Sequence, residues 1–288
     1  MVSDYGKEYI ESFTEFSLFK EILLNMRRTF RVNTLKTSVE EFKKNSNFEF
    51  EETIFDFAFS VEKTFTIGNT FEFFMGHIHT QTLSSMIPPV LLNPKRKSIV
   101  LDAAASPGGK TTQIAAIMKN NGTIIANDKS MDRLSPLVGN INRLGVLNTA
   151  VTNIDARNLP WKNYFNYALA DVPCSNLGSS LRAVESITKH RIKDMARVQR
   201  KIILSVFDSL KQGGILVYST CTITEEENEA VVNFLLENRE NASIEKIELD
   251  IPHEEGLKEY GKEFKKVIRI YPQHLNSEGF FIAKIKKN

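Results

Sequence analysis

The chain has 288 residues, 42% hydrophobic and 25% charged, an ordinary globular composition with ample material for a buried core. No apolar run approaches the roughly 20 residues that cross a bilayer, and the acidic N-terminal stretch MVSDYGKEYIESFTEF lacks the apolar segment of a secretion signal, so a soluble cytoplasmic protein with two reduced thiols and no membrane partner is expected. The formal charge of +2 and pI near 8.4 are too mild to argue for a polyanionic partner. Two basic clusters, one of Arg27, Arg28, Arg31 and Lys36 and one of Lys262, Lys265, Lys266 and Arg269, read equally as solvated faces or as contacts to such a partner.

In chain order, residues 29–35 predict a strand, 38–44 a helix, and 48–74 a phenylalanine-rich series of short strands. Phe48, Phe50, Phe55, Phe57 and Phe59 recur with a period near two, as one buried face of a small sheet does. A base-stacking platform is the competing reading, but most aromatic side chains are core. Pro88-Pro89 and Asn93-Pro94-Lys95 mark a passage between a small α+β region, 1–90, and a larger α/β domain, 91–288.

Beyond that passage β-like runs alternate with helical patterns, as in a doubly wound sheet. Residues 98–101 (SIVL) predict the first strand, 103–109 a turn, 110–119 a helix stopped by Gly122, and 123–126 (TIIA) the second strand. A helix over 131–144 ends at Gly145, and 149–153 and 167–170 are the third and fourth strands. A long helix covers 188–210, Gly213-Gly214 opens the fifth strand, and a helix over 225–238 begins with acids that suit its N-terminus. The run 279–285 (GFFIAKI) predicts a last strand, compatible with antiparallel insertion beside the fifth.

The turn after the first strand carries Ala104, Ala105, Ser106, Pro107, Gly108, Gly109 and Lys110, small residues that let backbone approach a ligand at a helix N-terminus. It nearly matches a P-loop, in which a glycine precedes Gly-Lys-Thr by four residues, but Ala104 stands in place of that glycine. Pro107 also has no N–H to offer a phosphate. The alternative is a loop for S-adenosylmethionine, which asks for an acid at the end of the second strand to hold the ribose hydroxyls. Asp128 is in that element, and Asp155, after the third strand, is placed for the adenine edge. Each aspartate alone could be a turn residue.

Cys174 and Cys221 each follow a strand-like run, and ligands of open α/β sheets bind at the carboxyl ends of the strands. Inert buried thiols are the plainer alternative. Pro173 breaks the strand before Cys174, however, and an acidic cluster, Glu225-Glu226-Glu227, follows Cys221, placements that suit loops rather than core. No ligand set has the spacing of a metal site. A cysteine beside an adenosyl cofactor suits methylation of carbon 5 of cytosine, because thiolate addition at carbon 6 makes carbon 5 nucleophilic. Asp171, three residues before Cys174, can then hydrogen-bond the base edge, and Lys110 can position that carboxylate or lower a thiol pKa.

The segments D-A-A-A-S-P-G-G-K-T (102–111), A-D-V-P-C-S (170–175) and Y-S-T-C-T-I-T-E-E-E-N-E (218–229) resemble the Nop/Sun-type RNA cytosine-5 methyltransferases. R-V-N-T-L-K (31–36), G-H-I-H-T-Q-T-L-S-S (76–85) and R-I-Y-P-Q-H-L-N-S-E-G-F-F-I-A (269–283) look like further motifs of that family, in its order. The resemblance implies a class I methyltransferase fold: a Rossmann-like, seven-stranded, mostly parallel sheet with one antiparallel strand, and a small N-terminal RNA-binding region. It implies Cys221 as nucleophile, Cys174 as the residue that completes the reaction and releases product, and cofactor contacts from residues 104–110, Asp128, Arg133, Asp155 and Asp171. It further implies action on RNA, tRNA before rRNA; a monomer is expected. A P-loop-like ATPase and a catalytically silent RNA-binding protein are the readings from other classes. The chain departs from many relatives at Ala104, where they have cysteine, and at Asn176, where they have glycine.

Overall fold

The structure is a computed structural model describing residues 4–288; residues 1–3, which open the stretch read above for a secretion signal, lie outside the described residues. Helices α1 (Asp4–Glu11) and α2 (Phe16–Asn25) lead to strand β1 (Arg28–Val32). Ser38 caps α3 (Val39–Asn45) by accepting from the Glu41 amide. Strands β2 (Glu51–Glu52), β3 (Ala58–Val61) and β4 (Ile78–Thr80) complete an antiparallel sheet of order β2-β3-β1-β4. The expected run of strands to residue 74 ends earlier. The Thr70 hydroxyl accepts from the Phe73 amide and starts a one-turn helix, α4 (Phe71–Phe74).

The phenylalanines do not share one face. Phe48, Phe50 and Phe59 pack with Phe30 and Phe42 on the small sheet, whereas Phe55 and Phe57 stack 5.3 Å apart against the main core. The turn between β2 and β3 breaks the alternation and splits the set. The N-terminal basic cluster is likewise divided: Arg31 is buried, Arg27 pairs with Glu51 and Glu62, and Lys36 donates to the Met75 and Arg143 carbonyls. In the C-terminal cluster Arg269 is buried against Glu229 and Lys266 pairs with Glu263.

Helices α1 and α2, which the sequence reading did not anticipate, pack away from the small sheet. Ile10 and Phe19 share a core with Leu177, Val184, Ile192, Ile223 and Tyr271. Helix α5 (Leu83–Leu92) contains Pro88 and Pro89, so the division expected at 90/91 runs through a helix. Pro89 cannot donate to the Ser85 carbonyl, and Gln81 Nε2 takes that carbonyl instead, at 3.0 Å.

The larger sheet follows in chain order: β5 (Ile99–Asp102), α6 (Gly109–Met118), β6 (Thr123–Asn127), α7 (Met131–Arg143), β7 (Thr149–Thr152), β8 (Phe165–Asp171), α8 (Leu181–Ser186), α9 (Lys189–Ser209), β9 (Leu210–Thr220). Helix α10 (Glu229–Asn238), strands β10 (Ala242–Glu245), β11 (Glu254–Glu255) and β12 (Ile268–Ile270), helix α11 (Pro272–Leu275) and strand β13 (Phe280–Lys287) complete it. Strands β9, β8, β5, β6 and β7 are parallel in that spatial order. Strand β13 runs antiparallel beside β9, and β10 pairs antiparallel with β13. That is the expected seven-stranded frame with one reversed strand. Strands β12 and β11 extend it along the first half of β13 to nine strands among the described residues.

Alternation along the strands builds two cores. Val100, Leu169, Val217 and Ile282 face one layer, while Leu101, Ala168, Ala170, Leu216, Tyr218 and Phe281 face the other. Strand β9 begins at Leu210, before the glycine pair that was expected to open it, with a register shift against β8 between Phe165 and Tyr167. The acids of 225–228 form a turn before α10 rather than its first residues. The chain reverses direction across the sheet between β5 and β8, the switch point whose carboxyl edge opens a crevice. No helix among the described residues is long and apolar enough to cross a membrane.

Candidate active site

Two strand ends and one helix N-terminus meet at that switch point. Asp102, last residue of β5, accepts from Thr111 Oγ1 at 2.6 Å through Oδ2, which ties the strand end to α6. Its Oδ1 is buried without a partner, and burial pushes the carboxyl up to about 7 against the pull of the Thr111 hydrogen bond. Between them the loop walls a cleft of about 240 Å³ with Ala104, Ala105, Ser106, Pro107, Gly109 and Lys110. Gly108 turns away at φ +102°, facing Leu137. Asp171 faces the same cleft from β8, and His79, Gln81 and Glu278 enter it from β4 and the approach to β13.

Asp128 and Arg133 hold the loop from behind. The Ser106 amide donates to Asp128 Oδ2 at 3.2 Å, and Arg133 Nη2 donates to the Ser106 carbonyl at 2.6 Å. Asp155 is farther out and already engaged: Arg157 and Lys129 bind its carboxylate, and the Arg157 hydrogen bonds hold it well below the usual carboxylate range. An adenine amino group reaching Asp155 shares it with that guanidinium.

Lys110 Nζ donates to Asp171 Oδ2 at 2.6 Å, and Ser219 Oγ donates to Asp171 Oδ1 at 2.8 Å. Burial works to discharge Lys110, but Asp171, Cys221 and Asp102 outweigh it and hold the ammonium above its ordinary value. The Lys110 ammonium also lies 5.4 Å from the centre of the Phe280 ring.

Cys174 and Cys221 are both free thiols, and their sulfurs lie 3.1 Å apart, well beyond the roughly 2.05 Å of a disulfide. The hydrogen bond to Cys221, then burial, then the charges of Cys221 and Glu227 push the Cys174 thiol well up. These neighbours therefore favour the protonated form of Cys174. Cys221 is near enough to Lys110 to raise that ammonium.

The loops that carry the thiols are fixed by groups the sequence reading passed over. Glu227, one of the three acids after Cys221, is buried and accepts from the Ser175 amide, Gln199 Nε2 and Thr224 Oγ1, each at 2.9 Å; burial raises its pKa. Asn228 binds Thr220 Oγ1 and the Thr222 carbonyl on either side of Cys221. Gly178 donates to the Cys221 carbonyl, and a β-carbon there would lie 2.4 Å from the Gly279 carbonyl oxygen, so the crossing of these two loops needs glycine.

Asn176 sits at φ +60° with Oδ1 3.0 Å from Cys221 Sγ and 3.4 Å from Cys174 Sγ. Asn176→Gly suits that backbone and removes an acceptor that favours the neutral thiols. Alkylation of the pair by iodoacetamide at neutral pH is expected to rise roughly threefold to tenfold, as loss of one net hydrogen bond of about 1 kcal/mol implies. An unchanged rate would mean that the carboxamide does not restrain the thiols.

The cleft fits the group that the sequence pattern suggests. The partnerless Asp102 oxygen suits an ammonium, the glycine-lined loop admits a close backbone contact, and Asp128 lies behind the loop at the end of β6. Among the described residues no group of three or more His, Cys, Asp or Glu is arranged to hold a metal ion.

Residues 89–286 match the protein family described as 16S rRNA methyltransferase RsmB/F. The chain is 40% identical over 280 residues to the tRNA (cytosine(49)-C(5))-methyltransferase of Pyrococcus abyssi, covering 91% of this chain and 88% of that one. It is 39% identical to the ribosomal RNA small subunit methyltransferase F of Psychromonas ingrahamii, but covers only 57% of that protein. A crystal structure of a methyltransferase homologue from Pyrococcus horikoshii superposes with a TM-score of 0.82 at 33% identity over the full length of both chains. NSun6 from Pyrococcus horikoshii, crystallised with SFG, gives 0.86 at 26% identity over 99% of this chain and 97% of that one. By its sequence, its sheet and its paired thiols, the chain belongs to the RsmB/F family of methyltransferases.

Proposed function

We propose that the chain is an S-adenosylmethionine-dependent RNA (cytosine-5)-methyltransferase that forms 5-methylcytosine in tRNA, working as a cytoplasmic monomer. One observation carries the reading: two free thiols in contact at 3.1 Å, one held protonated, close to a charge-paired lysine and aspartate. A silent RNA-binding protein has no use for that arrangement. ATP hydrolysis fits poorly too, since Lys110 is committed to Asp171 rather than free for phosphate. The tRNA preference rests on the Pyrococcus abyssi relative, most of whose length this chain spans, and rRNA is the second reading, favoured by the RsmF-type relatives.

Bound in the cleft, the cofactor supplies an electrophilic methyl group. The cytosine must leave its stack to reach it, which favours a loop or junction over a rigid duplex. Cys221 Sγ forms a bond to carbon 6 and its thiol proton passes to ring nitrogen 3, where Asp171, paired with Lys110, takes a hydrogen bond from the new N–H. Once carbon 5 carries the methyl group, its proton leaves to a base and the Cys221–carbon 6 bond breaks. Cys174, in contact with Cys221, is placed to relay the proton in that release. The region 1–90 adds RNA contacts in this reading: Phe71 and Phe74 of α4 are 65% and 75% exposed and offer ring faces to unstacked bases.

Calorimetry with S-adenosylhomocysteine and with ATP, followed by product mapping on tRNA and rRNA, tests the whole. The expected result is adenosyl-ligand binding, no ATP binding, and 5-methylcytosine in tRNA. Methylation confined to rRNA would sink the tRNA preference, and ATP binding alone would sink the methyltransferase reading.

A further inference from the structure

The start of α5 clamps the segment that leads into β13. Ser84 Oγ donates to the Glu278 carbonyl at 2.7 Å, and the Ser84 amide donates to Ser277 Oγ at 3.3 Å. Thr82 Oγ1 donates to Glu278 Oε2 at 2.9 Å. On the other flank the Gly279 amide donates to the Gly178 carbonyl at 2.8 Å, in the crossing that also holds the Cys221 carbonyl. Glu278 is thus fixed on both sides, by α5 and by the loops that carry the thiols.

Only one of its carboxylate oxygens is used. Oε1 has no hydrogen-bond partner among the described residues, and the side chain lines the cleft beside Asp171 and Lys110. Burial raises the carboxyl, Thr82 and Lys110 pull it back, and Asp171 adds to the rise, so both charges of that pair are felt at Glu278. The methyl transfer described above leaves this carboxylate idle.

The cytosine ring itself says what a carboxylate here would meet. Carbon 6 and nitrogen 3 lie opposite each other, so a base held by Cys221 and Asp171 has two remaining edges. One carries nitrogen 1, which bears the ribose, and carbon 2. The other carries carbon 5 and carbon 4 with its amino group. Carbon 5 must face the methyl donor in the cleft, so the amino group faces the cleft too, next to the Asp171 contact. Asp171 is already engaged by Lys110, Ser219 and ring nitrogen 3, and the free oxygen of Asp102 suits the cofactor's ammonium. Glu278 Oε1 is the cleft carboxylate oxygen left to accept from the amino group.

We propose that Glu278 accepts a hydrogen bond from the exocyclic amino group of the flipped base and so selects cytosine over uridine; the assignment rests on the RNA cytosine-5 reading of the site. Uracil presents a carbonyl oxygen at that position, which meets the carboxylate with no proton between them. A site built to bind an N–H rejects the base that lacks it, because its own buried acceptor is left unpaired.

RNA with 2-pyrimidinone in place of the mapped target cytosine lacks only the amino group and provides the test. Single-turnover transfer of labelled methyl from S-adenosylmethionine is measured on both RNAs, with S-adenosylhomocysteine affinity as the cofactor control. Glu278→Ala is expected to slow transfer to the cytosine RNA roughly tenfold to a hundredfold, as loss of a hydrogen bond to a charged group implies. Transfer to the 2-pyrimidinone RNA should stay within about threefold of the unaltered protein's rate, and cofactor affinity within about twofold, because the interaction is already absent there. Glu278→Gln keeps an acceptor oxygen, should recover part of the loss, and guards against a fold defect in the alanine variant. Equal slowing on both RNAs, no slowing on cytosine, or a matching loss of cofactor affinity overturns the assignment. If the unaltered protein methylates no cytosine in RNA, the RNA cytosine-5 reading itself fails, an outcome separable from the others.

Discussion

Cys221→Ser is expected to reduce methyl transfer by at least about a thousandfold, because removing a covalent nucleophile leaves only binding and positioning to act. Cys174→Ala should fail differently. With Cys221 intact, addition to carbon 6 and methylation of carbon 5 proceed, but release lacks the thiol that contacts Cys221 at 3.1 Å. Turnover then falls while a protein–RNA adduct accumulates, visible as a retarded band on a denaturing gel with tRNA and S-adenosylmethionine. The double variant should show neither product nor adduct. The asymmetry follows from the site: Cys174 is the thiol held protonated, and Cys221 is the one that senses Lys110. An adduct that survives loss of Cys221 and requires Cys174 would reverse the two roles. Both variants leave Glu227, Asn228 and Gly178 in place, so loss of fold is not expected and thermal unfolding checks it.

Much of this site was legible from the sequence because its reacting groups lie where local rules put them. Cys174, Asp171 and the loop from Ala104 to Lys110 follow strands whose apolar runs are unmistakable, and a doubly wound sheet brings such strand ends together. The reversed strand β13 was legible for the same reason, an apolar alternation led by glycine. What escaped was set by distant packing. Three buried residues, Ile268–Ile270, form β12 only because the first half of β13 has a free edge. Glu227 reads as one acid among three until Ser175, Gln199 and Thr224 are seen converging on it from three parts of the chain. Arg31 reads as part of a basic surface cluster, and its burial depends on Gln81, Gly109 and Thr112, between 50 and 81 residues away. Pro88 and Pro89 signal a break by every local rule, yet Gln81 repairs the lost hydrogen bond at Ser85 and α5 continues. Asp102 had a visible cue, an acid ending the first strand. Only the oxygen without a hydrogen-bond partner turns that cue into a candidate acceptor at the cleft.

Asp171→Asn is expected to lower kcat by about a hundredfold to ten-thousandfold, the range for losing a positioned acid–base group, while S-adenosylhomocysteine affinity changes much less. Asparagine fills the same space, and Ser219 Oγ can still donate to its carboxamide oxygen, so the end of β8 keeps its shape. What disappears is the charge. Lys110, with 14% of its side chain exposed, loses its partner at 2.6 Å; the site loses the anion that would take a hydrogen bond from a protonated cytosine nitrogen 3. Since Asp171 raises Lys110, its removal lets burial draw that ammonium's pKa down. The field at Cys221 then weakens as well. Two consequences separate these effects. The kcat profile of Asp171→Asn should lose any alkaline limb that Lys110 sets in the unaltered protein, and Lys110→Met in the Asp171→Asn background should cost little more than Asp171→Asn alone, because the pair acts as a unit. Independent, additive losses in that double variant would show that Lys110 serves the reaction by a route other than its pairing with Asp171.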